Sequence, residues 1–487
     1  MRDKIKEYKV YWGDIHRSST ASGGKTSMEE HFKVAREDLN LDFFALADNA
    51  YLTENPMKYR FYMEKLKGPK STTDGRTPEY LDPESIMKLH QISETNWKKL
   101  QKLVRNYHQP NKFVTFLAYE WCSAKYGDRN IYYFNDDEPL RLARNLSQLY
   151  QQLSKVKCMI IPHHPGYAVG RRGVDWNYHD RRLERLVEIF SLHGSSEKPV
   201  DNEIPLRNIG MGSNVPGSSV QEALNRGYKL GIIASSDCHE DPRQVVLAGV
   251  YSQELTREGI WEALWNRHCF GTTGEKIKIE FFMDNYPMGS IYATDSFPNI
   301  KVSVKGTARI KRVELVKNGS VVYNQEGDEN YIEFELTDTE IPFKPDNYYY
   351  VRVLQEDANM GWSSPIWVSY LPELEPVRGY LYWQTEFEIH FKVEKRGSKI
   401  ILSCENNSLE NLPVYNILFR VYKGDKLLKP VSENIFDKLN AGSSVSTEFL
   451  VENNGKGLSS ETIYEVSYLD CYQNLRYIRR KLPTIED

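Results

Sequence analysis

Ten of the 11 histidines precede residue 270, and several of them, with a handful of carboxylates, follow apolar runs. In "YWGDIHRSST" the pair Asp14 and His16 closes such a run; Ser18 stands where a second imidazole would complete a chelating pair. Asp48 follows "FFALA", Glu120 follows "FLAY", and His163 and His164 sit in "IIPHHPGY". His193 lies in "EIFSLHGSSE", and Asp237 and His239 close "GIIASSDCHE". A single histidine at a strand end is ordinarily a packed or surface residue, and Asp48 could merely cap the next helix. A carboxylate directly after a buried strand is harder to leave alone, because it needs a partner or a cation. Asp237 and His239, two apart, converge on one centre if the pleat breaks there, with Cys238 turned to the core. Five strand ends each delivering Asp, Glu or His suit zinc, manganese or iron.

Those side chains need strands to carry them. "KVYWGDIH", "LDFFALAD", "KFVTFLAYEW", "KCMIIPHH" and "YKLGIIASSDCHE" read as strands. "TSMEEHFKVAREDLN", which opens with the capping pair Ser27 and Glu30, reads as a helix, as do "RLARNLSQLYQQLSK", "SSVQEALNRG" and "TREGIWEALWNRH". A polar helical insert runs from the second strand to about residue 110. Apolar runs without period-two alternation, spaced by helices, predict a parallel sheet covered by helices. Ionisable residues at the strand ends predict a barrel with its active face at the C-terminal ends. No glycine-rich loop follows the first strand, which argues against an open doubly wound sheet. From residue 276 the texture changes to short alternating segments such as "NIKVSVKG", "YIEFELTD" and "YYYVRVLQED". The expected organisation is an α/β barrel over 1–275, a β-sandwich over 276–371 and a second sandwich-like module over 372–487.

Composition narrows the classes. With 40% hydrophobic and 27% charged residues the chain reads as a water-soluble globular protein, and a net charge of −4 excludes wholesale coating of nucleic acid. A local basic groove for nucleic acid stays open. The N-terminus lacks an apolar leader and no apolar stretch approaches ~20 residues, so no membrane partner and a cytoplasmic location are expected. The 6 cysteines are scattered without a C-x-x-C pair, which excludes a thiolate zinc knuckle or a disulfide framework.

The order GD-x-H, Asp after the second strand, Glu after "AY", His-His-Pro and S-D-x-H resembles the PHP (polymerase and histidinol phosphatase) superfamily. More narrowly, "YEW" followed by G-x-RN, then "EIFSLHGSSE" and an "LTRE…AL…R…TTG" run leading into a β domain, resembles a bacterial PHP-related family; the likeness covers roughly residues 8–370. The resemblance implies a distorted barrel of seven βα units holding up to three metal ions, with phosphoester hydrolysis as the activity. It implies His16, Glu120 and Asp237 as ligands of one ion. Glu120 would bridge to a second ion, shared with His164, and His239 would bind a third.

This chain departs from that pattern at three places. Ser18 replaces the second H-x-H histidine, Asn49 replaces the histidine after Asp48, and Asp128 in "YGDRN" stands where a histidine is common. One or two ions (manganese, zinc or iron) are therefore expected, with Asp128 kept as a carboxylate ligand. An Asn49 adapted to a smaller site would hydrogen-bond Asp48 or His239. His163 and Glu188 flank the cavity; His193 and Glu197 are expected to face substrate or support the ligands. Arg171, Arg172 and Arg243 are candidates for binding phosphate. Asp48, His193 and His239 are the candidate catalytic groups, the two histidines moving protons. The expected function is a metal-dependent phosphoesterase acting on a nucleotide, nucleic acid or small phosphoester. The rival is a catalytically degenerate scaffold that binds a protein partner through its C-terminal β modules.

Overall fold

The computed structural model describes residues 8–51, 92–123, 125–143, 145–199, 214–294, 296–341 and 346–370. Further along it describes 389–396, 399–407, 414–423, 426–427, 436–440, 442–450, 462–469 and 475–481. Most of the polar insert after the second strand, the 371/372 boundary and Cys471 lie outside the described residues. Among the described residues no helix is long and apolar enough to cross a membrane.

The chain is multidomain and mostly β, with a large mixed sheet. Its first ten strands are β1 (Lys9–Asp14), β2 (Phe43–Tyr51), β3 (Val114–Cys122), β4 (Arg129–Tyr133), β5 (Cys158–Pro162), β6 (Leu186–Ser191), β7 (Gly194–Ser195), β8 (Gly231–Ala234), β9 (Leu247–Ser252) and β10 (Cys269–Thr272). In the large sheet these run in the order β10-β9-β1-β2-β3-β4-β5, and β7-β6-β8 form a small sheet of their own. The sequence leads to an all-parallel sheet; the structure has parallel pairs at β1–β2, β2–β3 and β6–β8, while β4, β9 and β10 run antiparallel to their neighbours. For β4 the reason is length. The connection from β3 is too short for a crossover helix, so the chain turns back as a hairpin. Isolated parallel bridges Ile160↔Glu184 and Arg17↔Cys238 link the strand-end segments of the two sheets. The C-terminal ends of β1, β2, β3, β5, β6 and β8 thereby face one region.

Burial on both faces follows strand parity. Phe43, Ala45 and Ala47 of β2 join Val114, Phe116 and Ala118 of β3 in one apolar cluster, with Met159, Ile161 and Leu186. The alternate residues Phe44 and Leu46, with Leu117, Tyr119 and Trp121, join a second and larger cluster. This is the period of two expected of a pleated strand. Helix Glu94–Tyr107 covers the larger cluster with Trp97, Leu100 and Val104, and Ser93 caps its start.

Residues 276–370 contribute β11 (Lys278–Met283), β12 (Tyr286–Pro287), β13 (Ile291–Thr294), β14 (Asn299–Lys305), β15 (Ile310–Lys317), β16 (Ser320–Glu326), β17 (Tyr331–Thr337), β18 (Asn347–Gln355), β19 (Met360–Ser363) and β20 (Ile366–Tyr370). β10 pairs with β19, placing Phe270 opposite Ser363, so the large sheet runs on into this module. The larger cluster does the same, holding Phe281, Val302, Val313 and Val353 together with Trp12 and Phe44. Residues 1–225 and 229–372 form one compact unit. The other unit, which contains 373–487, has a three-stranded and a five-stranded sheet and its own core of Phe391, Leu402, Ile417, Val421, Phe449 and Val466.

Candidate metal centre

His16 is placed by the loop that follows β1. Asp237 N donates to His16 O at 2.8 Å, and Ser18 N to Cys238 O at 3.0 Å, which stitches this loop to the one after β8. Asp14 is not a ligand candidate here. It accepts from Arg17 Nε at 2.8 Å and from Ser236 Oγ at 2.6 Å, and so locks the two loops together. His163 and His164 follow β5, and Glu120 is near the end of β3. Two of the converging residues have left-handed backbones, His164 at φ 32° and Asp237 at φ 51°. Such conformations are rare outside glycine and accumulate at functional sites.

The side chains meet in a buried group. His16 Nδ1 lies 3.1 Å from Glu188 Oε2, while its Nε2 has no hydrogen-bond partner and stands 3.5 Å from Asp237 Oδ1 and 3.8 Å from Glu120 Oε2. His163 Nε2 bonds Glu120 Oε1 at 2.8 Å; its Nδ1 has no partner and is 3.7 Å from Asp237 Oδ2. Both ring nitrogens of His164 lack partners, with Nε2 3.4 Å from Asp128 Oδ2. The His16 and His163 rings stand edge to face at 4.4 Å, and those of His163 and His164 lie tilted at 3.8 Å. His193 bridges outwards, its Nε2 3.0 Å from Asp237 Oδ2 and its Nδ1 2.9 Å from Tyr167 OH. His239, more exposed, lies 3.2 Å from Asp237 Oδ1.

Electrostatics separates these groups. Burial works against a charged His16, but the Asp237 and Glu188 carboxylates outweigh it and raise the imidazole well above its ordinary value. Burial alone would raise Glu120; His163, His16 and Arg172 instead hold it well below the usual carboxylate range. Asp237 is likewise depressed, against its burial, by His16 and His193. Burial pushes Asp128 up to about 6 despite the adjacent Arg172. Burial, reinforced by His163, His193 and Arg172, holds His164 well below its ordinary value. A neutral His164 keeps a lone pair available, which is the form that binds metals.

These facts test whether a divalent ion fits. Glu120, Asp128, Glu188 and Asp237 are all buried, and buried carboxylates need compensating positive charge. Unpartnered buried nitrogens on three histidines face them. Ligand atoms of His16, His163 and Asp237 lie within 4.8 Å of one another, as do those of Asp128, His163 and His164, and those of His164, His193 and Asp237. Imidazole with carboxylate is a donor set for zinc, manganese or iron. The residues fit.

The other sequence candidates fall in different places. Asp48 faces away from this group, where Ser19 N at 2.6 Å and Ser22 Oγ at 2.6 Å donate to it. Its neighbour Asn49 lies opposite Glu120 in the β2–β3 register and accepts from Ser18 Oγ at 3.1 Å. Glu197 meets Arg352 Nη1 and Trp362 Nε1, each at 2.9 Å, in the β module. Arg243 pairs with Asp38 on the surface at 3.0 Å, and Arg171 is exposed. Arg172 enters the group, with Nη2 3.1 Å from Glu120 Oε1 and Nε in contact with Asp128 Oδ2. His163 and Glu188, read from sequence as flanking, stand at the centre. Parity carried that signal, since Met159, Ile161 and His163 share one side of β5, as do Leu186 and Glu188 on β6.

Residues 46–201 and 241–306 match a protein family of unknown function, DUF3604. The matched stretches contain Glu120, Asp128, His163, His164 and Arg172, and leave out His16 and Asp237. An uncharacterized protein of Chlamydia pneumoniae is 27% identical over 329 residues, covering 61% of this chain and 53% of the relative. One from Chlamydia trachomatis serovar D is 25% identical over 395 residues, covering 74% and 57%. The chain thus spans about half the length of the curated relatives it matches. Among solved structures, a two-domain protein of Bacteroides vulgatus containing a predicted PHP-like metal-dependent phosphoesterase has a TM-score of 0.38 at 12% identity, covering 74% of this chain and 96% of that one. Fibronectin(III)-like modules of Clostridium thermocellum CbhA have a TM-score of 0.18 at 10% identity, over 42% of this chain and 97% of theirs.

Proposed function

We propose that the first unit is a PHP-like barrel that works as a metal-dependent hydrolase of phosphoesters. The observation that carries this reading is the buried convergence of unpartnered nitrogens on His16, His163 and His164 with the carboxylates of Glu120 and Asp237. His16, Glu120 and Asp237 would hold the ion, with His163 or His164 completing the set. A divalent ion supplies Lewis acidity and a nucleophile available at neutral pH. His193, set between Asp237 and Tyr167, is placed to hold a proton at Nε2 and pass it outwards. His239, the more exposed partner of Asp237, offers a second proton route. Nucleotides, nucleic acids and small phosphoesters remain the substrate classes.

A degenerate scaffold is the second reading, favoured by the Ser18–Asn49 hydrogen bond, which closes off one ligand position with neutral groups. The test is elemental analysis of protein purified without chelators, with hydrolysis of bis-p-nitrophenyl phosphate measured in manganese. We expect stoichiometric metal and hydrolysis that falls at least tenfold in His16→Gln and Asp237→Asn. Metal far below stoichiometry after manganese or zinc supplementation would sink the hydrolase reading; bound metal without hydrolysis of any phosphoester would favour the scaffold.

A further inference from the structure

The two sides of the buried group are unequally filled. Between His16 Nε2, Asp237 Oδ1 and Glu120 Oε2 the separations are 3.5 and 3.8 Å from the nitrogen, too long for hydrogen bonds. On the other side, Glu120 Oε1 and Asp128 Oδ2 are already bound by the fork of Arg172. We propose that Arg172 is a built-in cation that takes the place of a second divalent ion on the Glu120–Asp128 side, so that the chain holds a single ion on the His16–Asp237 side. This inference rests on the metal reading above.

The backbone around Arg172 supports a dedicated role. Arg172 has φ 68°, a left-handed conformation uncommon for a side chain of this size. The turn that imposes it is tightly built. Arg171 N and Gly173 N both donate to Ala168 O, at 2.8 and 3.1 Å, and Val174 N donates to Pro165 O at 3.1 Å. A Cβ on Gly173 would stand 1.7 Å from Tyr167 O, so no other residue fits there without moving the turn. The same segment begins at His164, which ties the guanidinium to the site's own histidines.

Chemistry points the same way. A guanidinium does not lose its proton in a protein and presents a planar fork suited to carboxylates. Asp128 has one oxygen for each of two donors: Oδ1 accepts from Ser123 N at 2.7 Å, and Oδ2 meets Arg172. An imidazole at that position could not accept both bonds. The carboxylate at 128 is therefore explained by its arginine, and its presence does not call for an extra ion. A divalent ion seated beside the guanidinium would be repelled by it and would compete for the same two oxygens.

Manganese titration of the full chain, followed by EPR and elemental analysis, tests this. Wild type should take up one manganese per chain. Arg172→Ala should take up two, with the spin coupling of a close pair, and Arg172→Lys should stay at one because it keeps the charge. Arg172→Gln, which keeps much of the volume without the charge, serves should the alanine variant fold poorly; thermal midpoints are measured beside each titration. Two ions in wild type, or one ion with unchanged affinity in both neutral variants, overturns the inference and leaves the metal reading standing. Wild type without manganese overturns both.

Discussion

At the scale of single residues, His31 isolates how burial acts on a titratable group in this region. It lies on helix Met28–Lys33, buried, with neither ring nitrogen hydrogen-bonded to a neighbour. Burial, with the Arg17 charge adding to it, lowers its pKa from 6.5 to about 3. The folded protein thus holds His31 neutral where the unfolded chain binds a proton. Between about pH 6.5 and 3 the unfolded state is favoured as protons are added, so the stability His31 allows is complete above 6.5 and falls with acidification. The slope is at most ~1.4 kcal/mol per pH unit. Replacing His31 by Leu removes the titration and gives up at most a long contact to the Ser18 backbone. Urea denaturation at pH 7 and pH 5 should show a smaller acid loss in His31→Leu than in wild type. Equal losses in the two proteins would mean that His31 is solvated and titrates normally.

Strands decide which neighbours can share a site. Asp48 and Asn49 are adjacent on β2, so their side chains leave opposite faces. Asn49 faces Glu120, and Asp48 faces the serines of the 18–22 loop. This much was legible in "FFALADNA", where Phe43, Ala45, Ala47 and Asn49 form one stripe, and it argues against Asp48 as a catalytic group beside Glu120. The same stripe rule would have promoted His163 and Glu188 to the centre. It fails for His16, whose parity places it with Trp12 on the other face; the chain leaves the strand after Asp14, and only the Arg17–Asp14–Ser236 lock reveals where it turns. Arg172 was equally hidden as a carboxylate clamp, since its position depends on a left-handed turn. The antiparallel β9 and β10 were missed because short strands without alternation resemble loops in sequence. A prediction belongs to this scale. Ser18→His with Asn49→His places two larger rings where a hydrogen-bonded Ser–Asn pair is already buried. Overpacking of this kind costs roughly 1–3 kcal/mol. The double variant should melt lower and gain no metal; higher metal content at an unchanged midpoint would mean that a vacated ligand position is still open.

At the scale of the whole molecule, the question is what the metal-centre region needs in order to stand. The sequence changes texture near residue 276, yet the large sheet continues through β10–β19, and one apolar cluster spans both sides of that point. Glu197, four residues after His193 in the β6–β7 turn, is buried and bonded by Arg352, Tyr350 and Trp362. Ending the chain at 275 would remove Phe281, Val302, Val313 and Val353 from that cluster and open the apolar residues they cover, with Glu197, to water. Leaving a large apolar side chain in water costs roughly 1.5–3 kcal/mol, and several together are a large share of the ~5–15 kcal/mol that holds a typical domain together. The unit that contains 373–487 has, among its described residues, a core drawn from its own strands. A chain of residues 1–372 should therefore fold, with a cooperative melt and the full-length metal content, whereas 1–275 should be insoluble or should melt without cooperativity. Circular dichroism melts and elemental analysis of the two truncations decide the matter. A soluble 1–275 chain with full-length metal content and an unshifted midpoint would show that the stability of residues 1–275 is their own, and that the Glu197–Arg352 pair only fastens a neighbour to them.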